Sequence, residues 1–125
     1  DAGATWTVVN IGGAAAGHGA VYGKSIWGPS RDFIFLCTRV GYIYKSTDGG
    51  ATWTAVEAGV ITAGNYSGIH FADDKYGAAV AAAGVVATTI DGGATWQVLG
   101  SVPHFYFEDI LFVDSLTGWA AAGNT

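Results

Sequence analysis

One eight-residue phrase is written twice in this chain and begun a third time. "STDGGATW" runs from Ser46 to Trp53, "TIDGGATW" from Thr89 to Trp96, and "DAGATW" from Asp1 to Trp6. A second phrase recurs between them. "GIHFADDKYGAAVAAAG" starts at Gly68, "DILFVDSLTGWAAAG" at Asp109, and a weaker copy, "SIWGPSRDFIFLCT", at Ser25. The repeat length is roughly 40–47 residues, the range of four-stranded propeller blades. A repeat of this kind constrains the fold more tightly than any bulk property does.

Each repeat divides into short apolar runs separated by Gly- and Asp-rich turns, the pattern of hairpins. The best copy predicts strands at Ile69 to Ala72, Ala78 to Ala82, Val85 to Thr89 and Thr95 to Leu99. The Ala-rich second run suits a place where neighbouring sheets press close, or an ordinary tightly packed sheet of another β fold. Composition agrees with strands. Gly accounts for 20 of 125 residues, half of the chain is apolar and only 12% is charged, so a core is available and disorder is disfavoured. We therefore expect an all-β chain of β-propeller blades, each of four antiparallel strands. Residues 1–125 form a single propeller segment with boxes at 1–6, 46–53 and 89–96. About two blades are full and the others partial: Thr5 to Val9 reads as a fourth strand, and Ile110 to Val113 with Trp119 to Ala122 as a first and second. Such a chain is expected to belong to a longer propeller or to rely on neighbours, because exposed strand edges invite association.

The repeated phrase has a physical reading. An Asp at a hairpin turn accepts hydrogen bonds from nearby backbone N–H groups. Glycines supply positive φ, and a Trp five residues on falls back onto the sheet as an apolar plug. Asp1, Gly3 and Trp6, then Ser46, Asp48, Gly50 and Trp53, then Thr89, Asp91, Gly93 and Trp96 form such units. Calcium would take about six to eight oxygens, and one carboxylate per turn falls short of that.

These phrases resemble the Asp box of BNR-repeat proteins, which occurs in sialidases, sortilin-type receptors, some endoglucanases and many non-enzymatic propellers. The wider unit, "IHFADDKYGAAVAAAGVVATTIDGGATW" with "ILFVDSLTGWAAAG", is similar to repeats of the photosystem II assembly-factor group of seven-bladed propellers and their bacterial relatives. That resemblance implies a propeller fold and a binding role that uses a basic patch. Here Lys24, Arg31, Arg39, Lys45 and Lys75 are scattered.

Several functions find little support. A net charge of −5 argues against nucleic acid, which is bound by basic groups. No apolar run approaches the ~20 residues of a membrane span. Cys37 is the single cysteine, so neither an intrachain disulfide nor a CxxC metal framework is available. "GHGAVYGKS", Gly17 to Ser25, fails the phosphate-loop spacing because His18 stands where a Gly is required. His18, His70 and His104 form no close pair, and no cofactor or metal is expected. A sialidase-like enzyme would need three arginines, and only Arg31 and Arg39 are present. Glu57, Glu108, Asp32, Asp73, Asp74, Asp109 and Asp114 are the carboxylates outside the boxes, and most sit in turns.

The most distinctive unrepeated stretch is "SVPHFYFEDI", Ser101 to Ile110, expected as an inter-blade loop on one rim. Its His104, Phe105 and Tyr106, with Tyr66 and Trp27 from preceding linkers, are candidate partner anchors, since aromatics dominate interaction sites; the alternative is that they pack between blades. Tyr42 and Tyr44 alternate with Ile43, so one face of that strand is expected to be wet or interfacial. The expected role is non-catalytic binding or scaffolding of a protein or glycan partner. The alternatives are a fragment of an Asp-box glycoside hydrolase and a structural component of an extracellular or viral assembly. An extracytoplasmic setting is expected.

Overall fold

The computed structural model describes residues 3, 5–9, 11, 23–56, 65–103 and 105–124; for Gly23, Lys24, Phe105 and Asn124 it describes the backbone. Asp1, His18 and His104 therefore lie outside the described residues, as do Glu57 and most of the Gly17–Ser25 loop.

Ten strands follow one another among the described residues. The first sheet holds β1 (Gly23–Trp27), β2 (Ile34–Thr38), β3 (Ile43–Ser46) and β4 (Thr54–Val56). The second holds β5 (Tyr66–Phe71), β6 (Gly77–Ala81), β7 (Val85–Thr89) and β8 (Gln97–Ser101). A two-stranded sheet pairs β9 (Phe105–Phe112) with β10 (Gly118–Asn124). Within each sheet every strand is antiparallel to its sequence neighbour, and strand order equals chain order in both full sheets. This is the four-stranded meander of propeller blades.

The turns explain the hairpins. After β5, the Asp73 carboxylate accepts the N–H groups of Lys75 (2.8 Å) and Tyr76 (2.7 Å). After β9, Asp114 accepts from Leu116 (2.8 Å). These bonds favour the ionised carboxylates and hold both below the usual range. The close of β5 and the start of β6 also share one packing device. Phe71 lies so near Gly77 that a Cβ there would meet its ring at 2.5 Å.

The core lies between sheets. One cluster joins Phe35 and Cys37 of the first sheet to Tyr66, Ile69, Phe71, Ala79, Ala81 and Trp96 of the second. Phe35 stacks on Phe71 at 4.0 Å, and Trp96 meets Phe71 edge-on. A second cluster joins Ala78 and Val80 to Ile110, flanked by Phe107 and Phe112. Successive residues of a strand face opposite ways, so β6 sends Ala79 and Ala81 to one neighbour and Ala78 and Val80 to the other. Small side chains are needed there because both faces are covered.

Three expectations change. Thr5–Val9 is exposed and, among the described residues, belongs to no ladder. β4 and β8 each pair with a third strand, β3 and β7, and among the described residues no strand lies beside 5–9. Ser101–Ile110 is mostly strand rather than loop, because Phe105, Tyr106 and Phe107 pair with Asn124, Gly123 and Ala122. Of the two readings of the Tyr42–Tyr44 face, wet or interfacial, the wet one is excluded at Tyr44, which is as buried as Ile43, with the Tyr42 ring 6.4 Å from its own. Burial pushes the Tyr44 hydroxyl pKa up, helped by Tyr42.

Candidate functional site

The two complete boxes are hydrogen-bond stations of the same design. Ser46 Oγ donates to Asp48 Oδ1 (2.8 Å) and accepts the N–H of Gly50 (2.8 Å). Asp48 Oδ1 also accepts the Thr52 N–H (2.8 Å), and Oδ2 accepts the Thr52 hydroxyl. Thr89, Asp91, Gly93 and Thr95 repeat every bond. The threonine hydroxyl and N–H, followed by the Ser46 or Thr89 hydroxyl, hold each carboxyl at about 2. A carboxylate with both oxygens engaged and so low a pKa has no proton to give near neutrality, so the stations hold turns rather than perform acid–base chemistry. Thr52 and Thr95 were not singled out from the sequence, although both copies carry Thr four residues after the Asp.

The tryptophans differ. Trp53 Nε1 donates to Gly50 O (3.0 Å). Trp96 is buried against Phe71, and its Nε1 finds no partner among the described residues. Gly3, with φ +88°, has the Trp6 ring 3.6 Å from where its Cβ would stand, the same local approach as at Gly50. Trp6 itself is 91% exposed.

The box turns also tie elements together. Gly49 N–H donates to Asp32 O and Gly92 N–H to Lys75 O, which joins each box to the first turn of its own sheet. Lys45 Nζ donates to Gly92 O at 2.7 Å and lies over the Phe33 and Phe35 rings, joining the first sheet to the second box. A cleft of about 510 Å³ opens beside this bridge, lined by Lys45, by Thr47, Thr52 and Thr54, and by small or apolar residues of both sheets. Its one cation is thus already engaged in holding the sheets.

At the opposite rim the three sheets meet around a pocket of about 220 Å³ lined by Arg39, Asn65, Tyr66, Ser67, Ala82, Tyr106, Phe107 and Glu108. Asn65 builds its floor. It adopts φ +67°, a conformation Asn tolerates better than most residues. Its N–H donates to Arg39 O (2.8 Å) and its carbonyl accepts from Ala82 N–H (2.9 Å), so one residue clasps turns of two sheets. Arg39 reaches the pocket from the β2–β3 turn, and Glu108 from β9.

Of the sequence-predicted anchors, the structure brings Tyr66 and Tyr106 to this pocket. Tyr106 is 45% exposed. Tyr66 is a correction: it is 1% exposed, packed in the inter-sheet core, with burial raising its hydroxyl pKa. It contributes a wall and is no free anchor. Phe105's side chain is not described. Trp27 is elsewhere, its ring tilted against that of His70 at 3.8 Å and its Nε1 donating to Phe71 O (3.1 Å), so it joins sheets. Arg39, Asn65, Ser67 and Glu108 were not among the anchors read from the sequence.

The chemistry available is limited and specific. A guanidinium, a carboxylate, an amide and a phenol in one small cleft can satisfy both donors and acceptors. Glu108 has no carboxylate partner there, because its neighbour Asp109 lines a different cleft, with Ile110, Leu111, Trp119 and Ala121. Among the described residues no three His, Cys, Asp or Glu are placed to share a metal, and no helix is long and apolar enough to cross a membrane.

The stacked four-stranded meanders, cored by residues between sheets, define β-propeller blades. No protein-family model matches the chain, and no curated protein matches it in sequence. Solved propellers do match in structure. YCF48 bound to D1 peptide superposes with TM-score 0.72 at 18% identity, over 80% of this chain and 34% of that one. YCF48 from Cyanidioschyzon merolae gives 0.67 at 21%, over 82% and 35%. The Niastella koreensis GH74 enzyme gives 0.53 at 20%, over 66% and 14%. The chain thus spans about a third of the YCF48 chains it resembles. At such identities the likeness is one of fold.

Proposed function

We propose that this chain is a non-catalytic propeller binding module whose rim pocket takes an extended polypeptide segment. The observation that carries the reading is the convergence of Arg39, Asn65, Tyr106 and Glu108 from three sheets into one pocket. About 220 Å³ is below the roughly 300–1,000 Å³ typical of small-molecule sites, and it suits one side chain and its flanking peptide groups. Tyr and Arg are the residue types that anchor interfaces. The YCF48 structure with a bound peptide supports protein binding as a use of this fold. The GH74 resemblance is the support for a hydrolase. A two-carboxylate mechanism needs both groups on one cleft, whereas Glu108 and Asp109 line separate ones.

The test is selection of binders from a displayed peptide library and from a glycan array, followed by Arg39→Ala and Tyr106→Ala. A peptide ligand should lose about tenfold or more in affinity, roughly 1.4 kcal/mol, in either variant. Binding that survives both substitutions removes the pocket from the argument, and glycan capture without peptide capture replaces the partner class. We further propose an extracytoplasmic setting, on the low-lysine, Gly- and Thr-rich composition. Recovery of the native protein from the cytoplasmic fraction alone would refute it.

A further inference from the structure

Each sheet opens on the same irregularity. The β1–β2 ladder steps from Gly23 opposite Thr38 to Ser25 opposite Cys37. The β5–β6 ladder steps from Tyr66 opposite Ala81 to Gly68 opposite Val80. The β9–β10 ladder steps from Phe107 opposite Ala122 to Asp109 opposite Ala121. One residue of the first strand is left out each time: Lys24, Ser67 and Glu108. A bulge frees such a residue from the ladder and re-aims its side chain. Three successive sheets thus set one position apart and fill it with an ammonium, a hydroxyl and a carboxylate.

The rim pocket is built from that register. Ser67 and Glu108 are bulge residues of neighbouring sheets, and the residues just before them, Tyr66 and Phe107, line the pocket too. Arg39 and Ala82 are equivalent in turn, each following the residue that ends the second-strand pairing, Thr38 or Ala81. Gly68 brings the two bulges together: a Cβ there would meet Asp109 Cα at 3.0 Å, so β9 lies directly against β5. The pocket shares no residue with the cleft of Leu111, Trp119 and Ala121 on the uncovered side of β9–β10.

Charge is ordered across this pocket. The first sheet brings the Arg39 guanidinium and the third brings the Glu108 carboxylate. The second brings neutral groups, and Ser67 Oγ donates to Val80 O of its own sheet (3.3 Å). Arg39 and Glu108 are both exposed, and among the described residues no ion pair joins them. We infer that Arg39 and Glu108 determine specificity, and that the polypeptide segment they select carries an acidic side chain for Arg39 and a basic one for Glu108. The inference rests on the peptide-binding reading of this pocket and adds a charge order to it. A segment of a single sign would bring a like charge against one of the two residues, which is the repulsive half of specificity.

The test is a displayed library of random peptides, selected in parallel on the parent chain, on Arg39→Glu and on Glu108→Lys. Both positions are exposed, so circular dichroism should be unchanged in each variant. The parent pool should be enriched in peptides that carry one acidic and one basic residue in a fixed order. The Glu108→Lys pool should lose the basic residue and keep the acidic one, and the Arg39→Glu pool the reverse. A parent-selected peptide should bind Glu108→Lys about tenfold more weakly. Changing its basic residue to Glu should recover that loss on Glu108→Lys and weaken binding to the parent, a reciprocal recovery that a merely structural role of Glu108 would not give. Pools with no charge preference on the parent, or a preference that both variants keep, overturn this inference and leave the peptide-binding reading standing. A parent that captures no peptide overturns both. If a charge reversal alters the dichroism, Arg39→Gln and Glu108→Gln, selected in the same way, decide: each should lose the preference for its own opposite charge alone.

Discussion

At the scale of single residues, positive-φ glycines separate backbone strain from steric exclusion. Gly49 has φ +70° and only Arg31 O, at 3.5 Å, near its absent Cβ. Gly84 has φ +71°, but a Cβ would lie 1.9 Å from Val102 O, whose own N–H donates to Gly84 O. Gly49→Ala should therefore cost about 1–2 kcal/mol of left-handed strain. Gly84→Ala should cost more than about 3 kcal/mol, since the β8–β9 connection must move as well. Equilibrium urea unfolding of the two variants measures the difference, and equal losses would mean that the Val102 connection yields freely. The box aspartates carry a different signature. Their pKa falls from an ordinary 3.8 to about 2 on folding, so the unfolded chain binds more protons between those values. The stabilisation is complete above about pH 4 and is lost as the pH drops toward 2. Asp48→Asn with Asp91→Asn should be less stable at pH 7 and lose less on acidification than the parent. Melting temperatures at pH 6, 4 and 2.5 would show the two curves converging.

At the scale of elements, β6 and the His70 contact show how tightly the sheets are joined. Ala79 is fully buried in the inter-sheet cluster that also holds Phe35 and Trp96, so Ala79→Val should overpack it at about 1–3 kcal/mol, read as a lower urea midpoint at an unchanged slope. His70 lies between Trp27 of β1 and Phe112 of β9, and its Nδ1 accepts the Phe112 N–H at 3.1 Å. Burial lowers its pKa below 6.5, against the opposing charge of Asp109. The contribution is whole above about pH 6.5 and falls away as the pH drops through the lowered value. His70→Gln should flatten stability between pH 7 and 5, and an unchanged slope in that variant would show that another group titrates there. Much of this was legible in the sequence. The strands from Val85 to Thr89 and around Ala78 follow from period and turn chemistry, and the crowding of β6 follows from its alanines. The rim pocket was not legible, because Arg39, Asn65 and Glu108 converge from three separate sheets and no local pattern marks that meeting. Tyr66 misled for the same reason. A tyrosine next to a linker reads as exposed until the strand pairing, with Tyr66 opposite Ala81, turns it inward.

At the scale of the whole molecule, stability is unevenly distributed, and the unevenness follows from how many neighbours each sheet has. Every residue of β6 is fully buried or nearly so, and two hydrophobic clusters flank it. Opening β6 means exposing both clusters together, an event close to global unfolding. β10 pairs only with β9 among the described strands, and residues 118–123 are exposed, so it can separate without disturbing either cluster's centre. Amide exchange reports the free energy of the least costly opening that exposes each group. Dilute chain should therefore show β6 and β7 slowest, β2 and β3 next, and β10 fastest by orders of magnitude. Uniform protection across all ten strands would mean that the sheets unfold as one unit, and that the uncovered face of β9–β10 costs the chain nothing in local stability.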